Sequence, residues 1–192
     1  MIGLFGSGLW GSNILRDLQS LGARVTVVDV DPAARERALE CGATAAFHEP
    51  GERVAVDGWI VATPARTHAA CIAAVHGQRL PILCEKPLTI SAASATELAT
   101  GLRSPLHVMD VWRYHPAVEA MQRIVDDGPL GAVHGLASTR ANWTSPRVDV
   151  DTAWNLAPHE VSIYRQVFGT LPEPTSAFAE RIDGQVRSLW IR

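Results

Sequence analysis

A glycine-rich turn near the start of the chain constrains the fold most strongly. A GxGxxG pattern directly follows the apolar run Ile2–Phe5 and opens a helical pattern; it consists of Gly6, Ser7, Gly8, Leu9, Trp10 and Gly11. In such turns the first glycine permits the bend, the second lets a phosphate approach the backbone, and the third lets helix and strand pack closely. The pattern predicts a strand, turn and helix that bind the pyrophosphate of a dinucleotide, with a plain structural turn as the weaker alternative.

The sequence downstream of this turn alternates short apolar runs with helical patterns as far as about residue 110. Such alternation is typical of a doubly wound parallel α/β sheet, the Rossmann arrangement. It predicts strands at residues 2–5, 24–29, 59–62, 81–84 and 106–110, and helices at residues 10–21, 32–41, 67–76 and 91–102. Residues 45–56 are ambiguous.

The pattern changes after residue 110, and we place a domain boundary near Trp112. Residues 1–111 are expected to form the dinucleotide-binding domain, and residues 112–192 a second domain. The second region predicts a helix at 116–126, a strand-like run at 132–142, a loop rich in Pro, Ser and Asp, a helix at 155–168, and short strands at 175–181 and 185–191.

An acidic residue, Asp29, ends the second predicted strand, 18 residues after Gly11. A carboxylate at this point accepts hydrogen bonds from the adenosine ribose hydroxyls and repels a 2'-phosphate, so NAD is favoured over NADP. Arg35 and Arg37 leave NADP possible, because either guanidinium can reach a 2'-phosphate. The alternative function of Asp29 is to cap the next helix, a function that Asp31 before Pro32 fills more naturally.

Lys86 is the only lysine among 17 basic residues. Arginine stays protonated, whereas a buried lysine can exchange a proton near neutral pH, so a single lysine in an arginine-rich chain is a candidate acid/base group. Chance retention of one surface lysine is the alternative, and composition alone does not separate the two.

Composition excludes several classes of function. The net charge is -3 and the sequence contains no Lys/Arg-rich run, which argues against nucleic-acid partners and a polybasic membrane anchor. No apolar run approaches the roughly 20 residues that span a bilayer. Because the first predicted strand begins at Ile2, we expect no signal peptide. The three cysteines lack metal-ligand spacing, so we expect no disulfide framework, no metal site and a cytoplasmic location.

Five motifs, taken in order, resemble the glucose-fructose oxidoreductase/inositol 2-dehydrogenase (Gfo/Idh/MocA) family. They are the glycine loop, the segment ATPARTH at 62–68, CEKP at 84–87, RYHP at 113–116 and WNLAPH at 154–159. The resemblance implies a Rossmann domain followed by an α+β domain with a mostly antiparallel sheet that binds substrate and forms oligomers. It also implies an NAD(P)-dependent oxidoreductase that acts on a secondary alcohol or ketone of a sugar, cyclitol or similar small polar molecule.

The same resemblance assigns functions to individual residues. Lys86 matches the family's catalytic lysine, and His159 matches its second acid/base residue, where an imidazole suits proton exchange near neutrality. Glu85 is expected to touch the cofactor or to orient Lys86, and the bond before Pro87 is expected to be cis. The cofactor-binding segment beneath the nicotinamide is expected to include Thr63, Pro64 and His68, although His68 or Thr67 could equally cap or pack there.

The chain departs from the family pattern in two ways. Asn155 replaces the usual Asp, so it can orient a substrate hydroxyl but cannot act as a base. The predicted second domain is short, and its partial sheet implies a homo-oligomer or another pairing partner that completes the sheet. These departures support an alternative hypothesis, a catalytically weak nucleotide-binding partner or regulatory subunit of the same family. An anionic substrate could pair with Arg113 or Arg140, or either could be an ordinary surface arginine.

Overall fold

The structure is a computed structural model that describes residues 1–51, 55–142, 150–171 and 173–192. These residues divide into two compact units, Met1–Met109 and Asp110–Arg192. Within the described residues, no helix is both long enough and apolar enough to cross a membrane.

The first unit is a six-stranded parallel sheet with strand order β3-β2-β1-β4-β5-β6. Its strands are β1 Ile2–Phe5, β2 Val25–Val28, β3 Ala45–Phe47, β4 Gly58–Val61, β5 Ile82–Cys84 and β6 Leu106–Val108. Its helices are α1 Leu9–Ser20, α2 Pro32–Glu40, α3 His68–Val75 and α4 Ala92–Gly101. The predicted Rossmann fold is therefore confirmed, and the ambiguous segment at 45–56 contains the edge strand β3.

Side chains of the central strands point alternately to the two faces of the sheet and pack against the helices on each face. Leu4, Val27 and Ile60 pack with residues of α1 and α2, whereas Phe5, Val28 and Val61 pack with residues of α3. β2 and β4 are buried along their whole length, as expected for parallel strands covered on both faces.

The strand order places the predicted site at the carboxyl ends of the central strands. The chain runs from β1 outward through β2 and β3, and then returns to the other side of β1 as β4. The loops after β1, β4 and β5 therefore all leave the carboxyl end of the sheet around this reversal, which is where open α/β sheets bind ligands.

Sequence signals at the helix ends produce the expected local geometry. The Asp31 carboxylate accepts a hydrogen bond from the Ala33 N–H and caps α2, with Pro32 in the first turn. Gly22 follows α1 with φ +80°, a conformation that glycine adopts without penalty. The Ser91 hydroxyl caps α4.

The described residues of the second unit form two α-helices and a hairpin. A short 3-10 turn at Val111–Tyr114 leads into α5 Pro116–Asp127, which packs against α6 Thr152–Phe168. β7 Ala177–Ile182 and β8 Gln185–Ile191 form an antiparallel pair, which agrees with the predicted partial antiparallel sheet.

The strand predicted at residues 132–142 is wrong. The structure assigns no strand there, and in the described part of the chain β7 and β8 pair only with each other. Strand propensity produces a strand only where a neighbour completes the ladder of backbone hydrogen bonds. Most of the loop predicted between this segment and α6 lies outside the described residues.

Candidate functional site

The glycine loop joins β1 to α1 as the GxGxxG pattern predicts. Gly6 has φ +87°, and a Cβ there would lie 2.9 Å from the Ala62 carbonyl oxygen. A Cβ on Gly11 would lie 2.0 Å from the Gly6 carbonyl oxygen. A side chain at either position would separate elements that are now in contact, so both glycines are required for this turn.

The N-terminus of α1 offers a place for an anion. No side chain in the described part of the chain caps this helix at Gly8, and the first helical hydrogen bond runs from the Ser12 N–H to the Gly8 carbonyl, 2.9 Å. A Cβ built on Gly8 would meet no atom within 4 Å, so the space beside it is open. The first N–H groups of a helix have no intrahelical partner, so with open space beside Gly8 this helix start suits a pyrophosphate.

The Asp29 carboxylate is fixed beside the glycine loop by backbone donors. One oxygen accepts a hydrogen bond from the Ser7 N–H at 2.7 Å, and the other accepts from the Asp31 N–H at 2.9 Å. The Ser7 hydroxyl is buried and lies 3.2 Å both from Asp29 and from the Ala34 carbonyl oxygen. Asp29 therefore lies where the sequence predicts a ribose-binding carboxylate, while Asp31 alone caps α2.

The two arginines near Asp29 both have partners within the protein. An Arg35 guanidinium nitrogen donates to the backbone carbonyls of Asp29 at 2.7 Å and Val30 at 3.1 Å. Arg37 lies 3.7 Å from the Asp31 carboxylate. These contacts orient both guanidinium groups toward protein oxygens.

The loop after β4 carries the predicted segment beneath the nicotinamide. Thr63 is half-buried and Pro64 is exposed. The Thr67 hydroxyl lies 2.9 Å from the Thr63 hydroxyl and 2.8 Å from the Pro64 carbonyl oxygen. His68 is only 1% exposed, so its buried ring favours the packing alternative over direct contact with a cofactor.

The loop after β5 carries Glu85 and Lys86, both half-buried, and the bond between Lys86 and Pro87 is cis as predicted. One Glu85 carboxylate oxygen accepts a hydrogen bond from the Trp10 indole N–H at 2.6 Å, and the other lies 3.3 Å from the Lys86 backbone nitrogen. The Trp10 contact joins the glycine loop to the lysine loop. No local sequence pattern predicts this bond, because the two residues are 75 positions apart.

Two thiols lie in the core beneath these loops. Burial raises the pKa of the Cys71 thiol, and a contact with Thr63 offsets part of that shift. Burial also raises the pKa of Cys84, and the Glu85 carboxylate and Cys71 add to that shift. Both thiols are therefore neutral at physiological pH, which does not favour a nucleophilic cysteine. The described residues contain no group of three or more His, Cys, Asp or Glu side chains that could hold a metal ion.

In the second unit, Asn155 and His159 lie four residues apart on α6. This spacing places both side chains on one face of the helix. The Asp151 carboxylate accepts a hydrogen bond from the Trp154 N–H at 3.1 Å and so caps α6. The buried Ser162 hydroxyl donates to the His159 carbonyl at 2.8 Å.

An aromatic and charged cluster surrounds His159. The Trp112 ring meets the His159 ring edge-on at 6.4 Å between centroids and stacks on His115 at 5.2 Å. The Arg140 guanidinium lies 4.4 Å from the Trp112 ring centroid and donates to Glu160 at 2.6 Å. Trp112 entered the sequence analysis only as a domain boundary; the structure makes it a neighbour of a predicted site residue.

The structure thus brings the predicted residues of each unit together within that unit. The glycine loop, Asp29, the Thr63 loop and the Lys86 loop lie at the carboxyl edge of the parallel sheet, and Asn155 and His159 share a face of α6. His68 lies beneath the loops rather than at their surface.

Comparisons with known proteins agree with this geometry. Residues 1–109 match the model of the oxidoreductase family with an NAD-binding Rossmann fold, GFO_IDH_MocA. Inositol 2-dehydrogenase 1 of Saccharopolyspora erythraea is 34% identical over 143 residues, which cover 68% of this chain and 42% of that protein.

Solved structures share the fold. A probable dehydrogenase from Thermotoga maritima aligns with a TM-score of 0.78 at 21% identity, over 95% of this chain and 59% of the other. The myo-inositol dehydrogenase of Lactobacillus casei, solved with NAD(H) and myo-inositol, aligns with a TM-score of 0.62 at 24% identity, over 68% of this chain and 42% of that chain.

The chain spans about half the length of the curated relatives that it matches. Because the family model covers more than half of the chain and coincides with its sheet, glycine loop and Lys86 loop, this protein belongs to the Gfo/Idh/MocA oxidoreductase family, whose Rossmann fold binds NAD.

Proposed function

We propose that this chain carries the cofactor-binding region, and part of the substrate-binding region, of an NAD-dependent dehydrogenase that acts on a secondary alcohol of a cyclitol or sugar. The observation that carries this proposal is the Asp29 carboxylate, held beside the glycine loop by the Ser7 and Asp31 N–H groups. Its position matches the ribose-binding carboxylate of dinucleotide-binding domains.

NAD is the proposed cofactor, in preference to NADP. The Asp29 carboxylate would accept the ribose hydroxyls and repel a 2'-phosphate. Arg35 and Arg37, which could otherwise favour that phosphate, already contact protein oxygens. Gly8 and the N-terminus of α1 would hold the pyrophosphate. When bound, the nicotinamide accepts a hydride from the alcohol carbon or returns one.

Lys86 is the proposed group that holds and relays the proton of the reacting hydroxyl. It is half-buried and follows β5 at the carboxyl edge of the sheet, next to Glu85. Glu85 is proposed to orient it, through the Trp10 contact and its own proximity to the Lys86 backbone. His159 is proposed as the second acid/base group, with Asn155 orienting a substrate hydroxyl on the same face of α6.

An uncharged polyol is the proposed substrate class. Several curated relatives are inositol 2-dehydrogenases, one of them 34% identical, and one structural neighbour was solved with myo-inositol. Arg140 is paired with Glu160, and Arg113 donates to Gln166 at 3.0 Å, so neither arginine favours an anionic substrate.

We further propose that β7 and β8 belong to a larger sheet that a second copy or another pairing partner completes. All six residues of β7 are exposed, including Phe178, which packs against the exposed Trp190. Strand edges that carry exposed apolar side chains are usually covered in the working assembly.

A binding and turnover experiment tests the proposal. NADH and NADPH binding would be titrated by fluorescence, and turnover would be measured with myo-inositol, other cyclitols and sugars for the natural chain and Lys86→Met. We expect NADH to bind more tightly than NADPH, turnover of at least one polyol, and a fall of about 100-fold or more in kcat for Lys86→Met.

Arg103→Met, which removes an exposed cation outside the site, is the matched control and should retain full activity. Tight NADH binding without turnover of any polyol would overturn the dehydrogenase proposal and would favour the binding-partner alternative. Equal activity in the natural chain and Lys86→Met would overturn the function assigned to the lysine.

A further inference from the structure

The buried ring of His68 lies between two loops of the candidate site. Its Nδ1 atom lies 2.9 Å from the Pro87 carbonyl oxygen, and its Nε2 atom lies 2.8 Å from the Thr63 carbonyl oxygen. The ring is 1% exposed. One residue at the start of α3 therefore contacts the backbone of both the loop after β4 and the loop after β5.

The two carbonyl contacts determine how many N–H donors the ring must carry. A carbonyl oxygen only accepts, so each contact needs an N–H donor on the ring. A neutral imidazole carries one N–H, whereas the protonated ring carries two. Only the protonated ring satisfies both carbonyls, and a buried carbonyl without a donor is costly.

The position of Pro87 links this contact to the site. Pro87 directly follows Lys86, and Thr63 belongs to the segment predicted to lie beneath the nicotinamide. Movement of the Pro87 carbonyl would carry Lys86 with it, so the ring fixes the separation between the lysine loop and the Thr63 loop. We propose that His68 is a positioning residue that donates hydrogen bonds from both ring nitrogens. These two bonds hold the loop after β5, which carries Lys86, at a fixed distance from the loop after β4, which carries Thr63. The effect on turnover rests on the function proposed above; the two hydrogen bonds do not.

The charged groups around the ring bear on its protonation. Burial raises the pKa of the Cys71 and Cys84 thiols, so neither supplies a negative charge. The charged side chains on the elements that flank the ring are Arg66, Glu85, Lys86 and, on α4, Glu97. The two carbonyl oxygens themselves supply the nearest negative partial charge.

Nuclear magnetic resonance of the ring tests the hydrogen bonds without any cofactor. The full chain would be labelled with ¹⁵N-histidine, and the His68 signals would be assigned by their loss in His68→Gln. We expect both ring nitrogens to carry protons at neutral pH. A His68 ring with one unprotonated nitrogen in the folded chain at neutral pH would overturn the proposal.

Amide hydrogen exchange and kinetics test the positioning effect. His68→Leu removes both donors, His68→Gln keeps one, and His48→Gln changes an exposed histidine as the control. In the chain without cofactor, exchange at residues 62–67 and 85–91 should accelerate about tenfold or more for His68→Leu, less for His68→Gln and not at all for the control. Unchanged exchange in a folded His68→Leu chain would overturn the proposal.

With NAD and a polyol, kcat should fall about tenfold for His68→Leu. The NADH Kd, set mainly by Asp29 and the glycine loop, should change less than about threefold. The same fall in NADH affinity as in kcat would indicate general disruption and would contradict a positioning function. If the natural chain turns over no polyol, the proposed function fails, while the resonance and exchange results still decide the assignment of His68.

Discussion

Asp29 shows how one side chain can set cofactor preference through backbone geometry. Its two oxygens accept from the Ser7 and Asp31 N–H groups, so the carboxylate is fixed before any ligand arrives. A fixed carboxylate loses little conformational freedom on binding ribose, and its charge opposes a 2'-phosphate. Asn keeps the shape of this side chain but replaces one acceptor oxygen with an NH2 donor, so it removes the charge together with one of the two backbone hydrogen bonds.

Asp29→Asn should weaken NADH binding about tenfold, because a hydrogen bond to a charged acceptor contributes roughly 1.5–3 kcal/mol and a neutral amide contributes less. NADPH binding should improve relative to NADH. Fluorescence titration of both cofactors measures the ratio of the two Kd values. Asp17→Asn, an exposed carboxylate on α1, is the control. An unchanged NADH to NADPH ratio would show that Asp29 does not set the preference.

Gly11→Ala tests the close packing of the loop. The added Cβ would lie 2.0 Å from the Gly6 carbonyl oxygen, so backbone must move. We expect NADH affinity to fall more than tenfold and unfolding free energy to fall by about 1–3 kcal/mol. Gly101→Ala is the matched control, because its Cβ would meet open space at the end of α4. Denaturant unfolding and cofactor titration measure both effects, and equal behaviour of the two variants would contradict this packing.

At the scale of the residue, local pattern predicted part of the site. Gly6, Gly11 and Asp29 were predictable because strand, turn and helix place them by short-range geometry. The Trp10–Glu85 bond and both partners of His68 were not, since they depend on which loops the sheet brings together. The functions assigned to Lys86, His159 and Asn155 stay predictions.

Among the helices, α6 depends on a cap that the sequence analysis did not assign. Asp151→Ala removes the carboxylate that accepts from the Trp154 N–H and should lower unfolding free energy by about 0.5–2 kcal/mol. Asp126→Ala, near the carboxyl end of α5, should leave it unchanged or raise it slightly, because a carboxylate there faces the negative end of the helix dipole. Equilibrium denaturation compares the two, and equal effects would contradict the capping function of Asp151.

For helices and strands, hydrophobic periodicity and the capping and turn residues at the segment ends predicted the helices and the central strands well. β3 stayed ambiguous because its three residues are too short for a pattern. The predicted strand at 132–142 failed for the opposite reason: its residues have strand character, but no described neighbour pairs with them. Pairing depends on the whole sheet and cannot be read from one segment.

For the whole molecule, the buried Cys84 thiol makes the free energy of unfolding depend on pH in the alkaline range. Burial, the Glu85 carboxylate and Cys71 raise the pKa of Cys84 above its ordinary value of about 8.5. Above that value the unfolded chain loses the thiol proton while the folded chain keeps it. Unfolding then releases a proton, so stability is complete below about pH 8.5 and falls as pH rises above it, by up to about 1.4 kcal/mol per pH unit.

Cys84→Ala should flatten this alkaline decline, while Cys41→Ala, which removes an exposed thiol, should not. Denaturant unfolding between pH 7 and pH 10 measures the slopes. The same slope in the Cys84 variant as in the natural chain would exclude this thiol as the cause.

Along the chain, the boundary of the two compact units falls between Met109 and Asp110. The functional division at residues 111 and 112 stays a prediction, as does the cytoplasmic location. The sequence was sufficient to predict the Rossmann unit, because its glycine turn, the lengths of its apolar runs and its helix caps all indicate the same fold. The second unit was less predictable, because its pattern is short and its sheet has only two described strands.

Transfer of deuterium from a polyol to the cofactor tests the proposed dehydrogenase activity. The chain would be mixed with NAD and with cyclitols and sugars deuterated at the carbinol carbons, and the reduced cofactor would be analysed by mass spectrometry. This activity predicts deuterated NADH from at least one polyol, formed about 100-fold or more slowly by Lys86→Met. Tight binding of NAD with no deuterium on the cofactor from any polyol would contradict it.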